Sequence, residues 1–186
     1  MEYQSNYRYE FLDIDWLKKN YQMVHYFGLG FIQLKLNQEE RLHFYTDKIK
    51  KTVEEEEVHN HRYNFVSTIL SGNFQQEVYE VNAAAHEKQY YLTQETCNAE
   101  DKQEFPKIPC GIERVFSGKY GVGDSYYIDH NTFHRVESKN AVTHVKRSGY
   151  KKSFADVIYR KDQAIVCPFS IRMSEEDLFD VISEIL

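Results

Sequence analysis

The fold is decided by Val58-His59-Asn60-His61-Arg62-Tyr63 and by the apolar strand and turn that follow, Ile69-Leu70-Ser71-Gly72-Asn73-Phe74. Side chains two residues apart on an extended segment point to the same face, so His59 and His61 converge. Two imidazoles on one face can supply two neighbouring positions of a metal's coordination shell, with a third ligand from another strand. For the His-x-His pattern alone, the alternative is an exposed polar pair on a strand.

A second segment offers the third ligand. Gly123-Asp124-Ser125-Tyr126-Tyr127-Ile128-Asp129-His130-Asn131-Thr132-Phe133-His134 is typical of a turn, a strand, a second turn and the start of another strand. His134 enters that last strand, where a barrel would bring it back to the first pair. His130 lies beside Asp129 and Asn131, and we interpret it as a turn residue or part of a pocket rim.

Short strands are predicted throughout the middle of the chain. The candidates are rich in Tyr, Phe, Val, Ile and Thr, as a half-buried pleated surface prefers. They span residues 31–36, 41–49, 63–70, 74–81, 89–93, 112–116, 125–128, 133–137, 142–147 and 153–159. Strands so closely spaced suggest a sandwich or barrel. The polar stretch 82–107 has no clear assignment.

Helices are predicted at both ends of the strand-rich region. Residues 1–30 are predicted to be an N-terminal helical segment, capped by Asp13 or Asp15 and ended by Gly28 and Gly30. A C-terminal helix over 174–186 begins with a capping box at Ser174. A chain of 186 residues is long enough for one domain, so we expect 1–186 to be a single domain with a β-barrel over 31–160.

Composition argues against two classes of partner. The formal charge of −6 disfavours nucleic acid. A mean hydropathy of −0.66 and short apolar runs disfavour a segment that crosses a membrane.

Met1-Glu2-Tyr3-Gln4-Ser5 lacks the basic and apolar pattern of a secretory signal. The three cysteines form no Cys-x-x-Cys pair, so a reducing cytoplasm is the expected location.

Taken in order, the motifs resemble those of the cupin superfamily. His59-Asn60-His61 with the Gly72 turn matches the first cupin motif, and Gly123-Asp124 through His134 matches the second. The strings from Ile69 to Phe74, Phe133 to Glu137 and Ala141 to His144 are most similar to the cysteine dioxygenase-type branch. Over residues 40–147, this resemblance implies a mainly β, double-stranded β-helix (jelly-roll) barrel with flanking helices.

The resemblance also implies a metal site. His59, His61 and His134 would hold Fe(II), and Zn, Mn or Ni would be the other candidates. Many cupins place a glutamate four or five residues after the second histidine. Here Phe65 and Val66 stand there, which fits the three-histidine pattern.

The resemblance is weaker among the residues that contact the substrate in the cysteine dioxygenase-type branch. The branch's cysteine–tyrosine crosslink is absent, with Lys146 where the tyrosine would fall, and Gln33 stands near the place of its carboxylate-gripping arginine. His144 matches the branch's second-shell histidine, although Val142 replaces the serine partner. Cysteine itself is therefore not the expected substrate.

Strand alternation adds one candidate for substrate contact. Tyr63 lies two residues after His61 and should share the ligand face, so we predict that it lines the pocket; the alternative is a tyrosine that simply fills a strand. Arg62 and Arg135 each neighbour a ligand histidine and should point the opposite way.

Three functions remain open at this point. The first is a non-haem Fe(II) dioxygenase-like enzyme that oxidises a small molecule with a thiol or carboxylate group. A metal-dependent isomerase is the second, and a non-catalytic cupin that binds a small molecule or a protein partner is the third. The resemblance also implies a homodimer.

Overall fold

A computed structural model describes residues 9–51, 58–82, 88–95, 105–163 and 171–186. His86, Cys97, Cys167 and most of the unassigned stretch 82–107 lie outside the described residues. Within the described residues the protein is mainly β, with a six-stranded sheet, a closed six-stranded barrel and two helices.

The predicted strands are confirmed, and two more are present. The described strands are β1 Met23–Phe27, β2 Phe31–Lys35, β3 Glu40–Thr46, β4 Val58–His59, β5 Phe65–Gly72, β6 Phe74–Asn82, β7 Tyr90–Glu95, β8 Ile108–Tyr120, β9 Ser125–Ile128, β10 Phe133–Glu137, β11 Asn140–Arg147 and β12 Ala155–Arg160. The additional strands are β1 and the two-residue β4. Every described strand pair is antiparallel.

The strands form two groups. The open sheet has the order β1-β2-β3-β11-β5-β9, and the closed barrel has the order β10-β4-β12-β7-β8-β6. Strand β5 of the sheet is separated from β6 of the barrel only by Asn73. Gly72, with φ +77°, makes this sharp passage at a left-handed backbone angle that favours glycine.

The N-terminal helical prediction is partly wrong. Helix α1 covers Ile14–Asn20, with Asp13 as its N-cap, but Met23–Phe27 is a strand. The residues of β1 alternate between more and less exposed positions and pair along their whole length with β2. The apolar side chains of this stretch fit periods of both two and three to four residues, and pairing with β2 decides between them.

Helix α2, Glu175–Ile185, closes one side of the sheet. Its N-cap is Ser174, whose side chain accepts a hydrogen bond from the Asp177 backbone N–H, as predicted. Leu178, Phe179 and Ile182 pack with Leu17 of α1 into an apolar cluster on one face of the sheet. No described helix is long and apolar enough to cross a membrane.

The opposite face of the sheet carries a different set of side chains. Phe31 and Tyr45 pack with Phe65, Phe74 and other apolar side chains into a second cluster. This cluster borders a cavity of about 920 Å³ that lies between the sheet and strands β4, β10 and β12. Helices therefore cover one face of the sheet, while the other is turned towards the candidate site.

Candidate metal centre

Three imidazoles meet in the cavity. His59, His61 and His134 each offer one ligand nitrogen, and these atoms lie within 4.8 Å of one another. The ring centres are 4.9 Å apart for His59 and His61, 5.0 Å for His59 and His134, and 5.1 Å for His61 and His134. The structure therefore brings together the three histidines that the sequence singled out.

Backbone pairing positions two of these histidines. His59 of β4 lies opposite His134 of β10 on one side and Val157 of β12 on the other. Antiparallel partners have their side chains on the same face of the sheet, so the register aligns the two imidazoles. His61 follows two residues later in irregular backbone and still joins them.

Asn60, between His59 and His61, attaches this segment to strand β12 through its side chain. Its side-chain Nδ2 donates a hydrogen bond to the Asp156 carboxylate at 2.7 Å, and its side-chain Oδ1 accepts one from the Asp156 backbone N–H at 2.7 Å. Lys152 also binds the Asp156 carboxylate, at 2.6 Å. Asn60 is 2% exposed, so these bonds replace the water that its side chain has lost. We name these contacts the Asn60–Asp156 clamp.

The surroundings of two of the three imidazoles, those of His61 and His134, disfavour the charged form. Burial, followed by the neighbouring charges of His59 and His134, sets the pKa of His61 well below its usual range. Burial and the charge of His59 do the same for the pKa of His134. A neutral imidazole carries the free lone pair that a metal ion needs, so the environment favours the ligating form.

The arrangement fits a divalent transition metal. The Nε2 atoms of His61 and His134 are 2.8 Å apart. Two nitrogens bound to one ion at about 2.1 Å and at roughly a right angle would be about 3 Å apart, which is close to this separation. Three neutral nitrogen donors suit Fe, Zn, Cu or Ni rather than Mg or Ca, which prefer oxygen. The three-histidine group can therefore hold a metal ion, whose identity its geometry does not fix.

No family model and no curated protein matches this chain. The site is therefore interpreted from its own chemistry.

Three ladders of side chains face the metal candidate across the cavity. Each ladder runs over β1, β2 and β3, and all its members line the cavity. The cationic ladder is Met23, Lys35 and Arg41; the imidazole ladder is His25, Gln33 and His43; the aromatic ladder is Phe27, Phe31 and Tyr45. The cavity wall thus changes from charged to polar to aromatic along the strands.

Tyr63 lines the cavity, although it lies between β4 and β5 and not on a strand. Its ring centre is 5.5 Å from that of His61, and its hydroxyl accepts a hydrogen bond from Arg41 Nη1 at 3.1 Å. The guanidinium groups of Arg41 and Arg147 lie 5.2 and 4.9 Å from the Tyr63 ring centre. Its role in contacting a substrate stays a prediction.

Arg62 and Arg135 behave differently from each other. Arg135 points away from the cavity as expected and binds the buried Glu77 carboxylate at 2.6 Å. Arg62 instead borders the cavity, with its guanidinium 4.4 Å from the Tyr150 ring centre. Strand β4 ends at His59, so the alternation rule no longer applies at Arg62.

His144 lies away from the three histidines. Its ring centre is 4.7 Å from that of Phe11, and its Nε2 is 3.4 Å from a Glu40 carboxylate oxygen. The next residue, Val145, lines the cavity, so alternation along β11 turns His144 to the opposite face. The structure does not bring His144 into the site, and we give it no role there.

Sequence reasoning missed the two arginines beside Tyr63. The signal for Arg41 was present in β3, where Arg41, His43 and Tyr45 alternate with Leu42 and Phe44. The sequence shows no partner for His43 at metal-ligand spacing, which favours a structural or exposed histidine, but this alternation gives β3 one polar face and one apolar face. The apolar face packs against the helices, and the polar face lines the cavity.

Proposed function

We propose that the protein is a cupin-type metalloenzyme of the non-haem Fe(II) dioxygenase kind that oxidises a small molecule. The observation that supports this most is the convergence of His59, His61 and His134 in one wall of a large cavity. A purely structural metal site is usually closed by four protein ligands. Here three imidazoles lie against space that can admit a ligand.

A bound Fe(II) would supply dioxygen and substrate binding at its open coordination positions. The chain's own residues do the rest. The three imidazoles contribute no charge to the ion, so its double positive charge attracts an anionic substrate group. Tyr63 places its ring beside the ligand His61, and the aromatic ladder gives part of the cavity an apolar lining.

The first prediction is a change in metal content. Wild-type protein loaded anaerobically with Fe(II) should bind about one ion per chain. His134→Ala removes one of three donors and should weaken metal binding by about 100-fold or more, measured by plasma emission spectrometry after dialysis. His130→Ala is the matched control because His130 hydrogen-bonds Asn64 and Asp129 instead.

Two outcomes would contradict the proposal. The metal site is excluded if wild-type protein cannot be loaded, or if His134→Ala holds as much metal as wild type. If Fe(II) binds, oxygen consumption should be measured with a panel of thiols and carboxylic acids. Loading without consumption across a broad panel would favour the non-catalytic binding cupin, and loading with Zn or Mn together with isomerase activity would favour the isomerase.

We also propose a compartment, a class of ligand and an oligomeric state. Cys110 is buried with a free thiol, which fits a reducing compartment such as the cytoplasm. A small-molecule substrate fits the cavity, and a homodimer is the assembly that the cupin resemblance implies. Light scattering of the purified chain would test the homodimer directly.

A further inference from the structure

Two guanidinium groups that line the cavity, those of Arg41 and Arg147, have no acidic ion-pair partner among the described residues. Arg41 is 8% exposed; its Nη1 donates to the Tyr63 hydroxyl, while its buried Nε has no hydrogen-bond partner. Arg147 donates from Nε to the Gln38 carbonyl at 2.7 Å, and its buried Nη1 has no partner. Both side chains therefore hold donors that the protein leaves unused.

No acidic side chain in the described part of the chain forms an ion pair with either arginine. A guanidinium withdrawn from water is unfavourable unless an anion compensates it. The two arginines also face the same Tyr63 ring, so their like charges oppose each other. An anion between them would relieve both costs, because it would accept the unused N–H groups and screen the repulsion.

This anion site lies next to the metal candidate. Tyr63, which both guanidinium groups contact, is also the aromatic neighbour of the ligand His61. An anionic head group held by the arginines would therefore place the adjoining atoms of the same molecule beside the three histidines.

The remainder of the cavity suits an apolar body. The aromatic ladder of Phe27, Phe31 and Tyr45 lines part of it, with the first two rings stacked at 4.8 Å between centres. A volume of about 920 Å³ is at the upper end of the range for drug-sized ligands. A short amino acid would leave most of this apolar wall in contact with water.

We propose that the cavity binds an amphipathic organic carboxylate, with its head group held by Arg41 and Arg147 and its aromatic or aliphatic body along the aromatic ladder. The inference rests on the proposed function in one respect, that the three-histidine centre acts on the bound molecule. The planar fork of arginine matches the two oxygens of a carboxylate, which a neutral amide cannot replace.

Calorimetric titration of the full chain can test this with three probes. Phenylbutyrate carries both features, phenylbutyramide lacks the charge, and butyrate lacks the ring. Phenylbutyrate should bind at least about tenfold more tightly than either of the others. Arg41→Gln and Arg147→Gln should each weaken phenylbutyrate binding by about tenfold while changing phenylbutyramide binding less than about twofold.

Arg160→Gln is the control for net charge, because Arg160 pairs with the exposed Asp162. Thermal unfolding monitored by circular dichroism checks that each variant is folded; if Arg41→Gln is not, the more exposed Arg147→Gln carries the test. The proposal is overturned if no probe binds, if acid and amide bind equally, or if both glutamine variants bind phenylbutyrate like wild type.

The titration is run on protein as purified and again after chelation. Carboxylate binding that survives chelation supports the arginine site whatever the metal result. Metal loading without carboxylate selectivity would keep the proposed function and reject this substrate class.

Discussion

Gly72, the last residue of β5, lies so close to the neighbouring strand β11 that no side chain fits there. A Cβ at this position would lie 2.0 Å from the Asn140 carbonyl oxygen and 2.9 Å from the Ala141 Cα. Both are backbone atoms of the neighbouring strand, which cannot rotate out of the way as a side chain can. The left-handed φ of +77° adds a second reason for glycine.

Gly72→Ala should therefore destabilise the protein by about 3 kcal/mol, because the clash and the backbone strain add. Gly149→Ala is the matched control, since a Cβ there meets nothing within 4 Å. Its effect should stay within about 0.5 kcal/mol. Urea unfolding followed by tryptophan fluorescence measures both. Equal unfolding midpoints for the two variants would show that β11 can move to accommodate the methyl group.

At the scale of elements, the metal candidate depends on the very short strand β4. Only Val58 and His59 form it, yet it pairs with β10 on one side and β12 on the other. The Asn60–Asp156 clamp continues the connection to β12 just beyond the end of β4. Hydrogen bonds from Lys152 and Asn60 outweigh burial and hold the pKa of Asp156 below its usual range, so the clamp contains a carboxylate.

Asn60→Asp should disturb the metal candidate without touching a ligand. The new carboxylate would face that of Asp156, where the Asn60 amide now donates a hydrogen bond at 2.7 Å. The repulsion between the two carboxylates should displace His59 and His61. Metal affinity should fall by about tenfold or more. The double variant Asn60→Asp with Asp156→Asn restores one amide and one carboxylate, so it should recover most of that loss. Metal titration of the three proteins checks this. A metal affinity of Asn60→Asp equal to that of wild type would show that the Asn60–Asp156 clamp does not position the histidines.

Comparison of β1 and β3 shows what the sequence could and could not reveal. Most strands were predicted because apolar β-formers lie between clear turn residues, as in β9 and β10. The three metal-site histidines were found from spacing and motif order. Strand β1 was missed because its helical and strand patterns overlap, and only pairing with β2 decides between them. Arg41 and Arg147 were missed because their proximity to Tyr63 depends on the register of β3 and β11.

Over the whole molecule, partly buried histidines beyond the metal candidate link the free energy of unfolding to pH. Burial first, then the charges of Lys35 and Arg41, lower the pKa of His25 to about 4. Burial, with the charges of Arg41 and His25, sets the pKa of His43 well below its usual range. The folded protein keeps both rings neutral, whereas the unfolded chain protonates them near pH 6.5. Their contribution is therefore fully present above about pH 6.5 and is lost as the pH falls towards 4.

The free energy of unfolding should accordingly fall between pH 7 and pH 5. His25→Gln removes one of the two groups, so the decrease over that interval should be smaller than in wild type. Urea unfolding at several pH values measures the slope, with chelator present in every sample to exclude metal release. Identical slopes for the two proteins would mean that His25 is protonated equally in the folded and unfolded states.

The distance along the chain between the metal-site histidines has a consequence for biosynthesis. His61 and His134 are 73 residues apart, and His134 reaches the other two only when β10 pairs with β4. Until β10 has been synthesised and has paired with β4, the chain offers the His-x-His pair alone, which gives two donors and no enclosure. An ion that needs all three donors can therefore bind only after this pairing. An ion bound by these histidines would therefore depend on the metals available where folding finishes, as well as on the preference of three imidazoles.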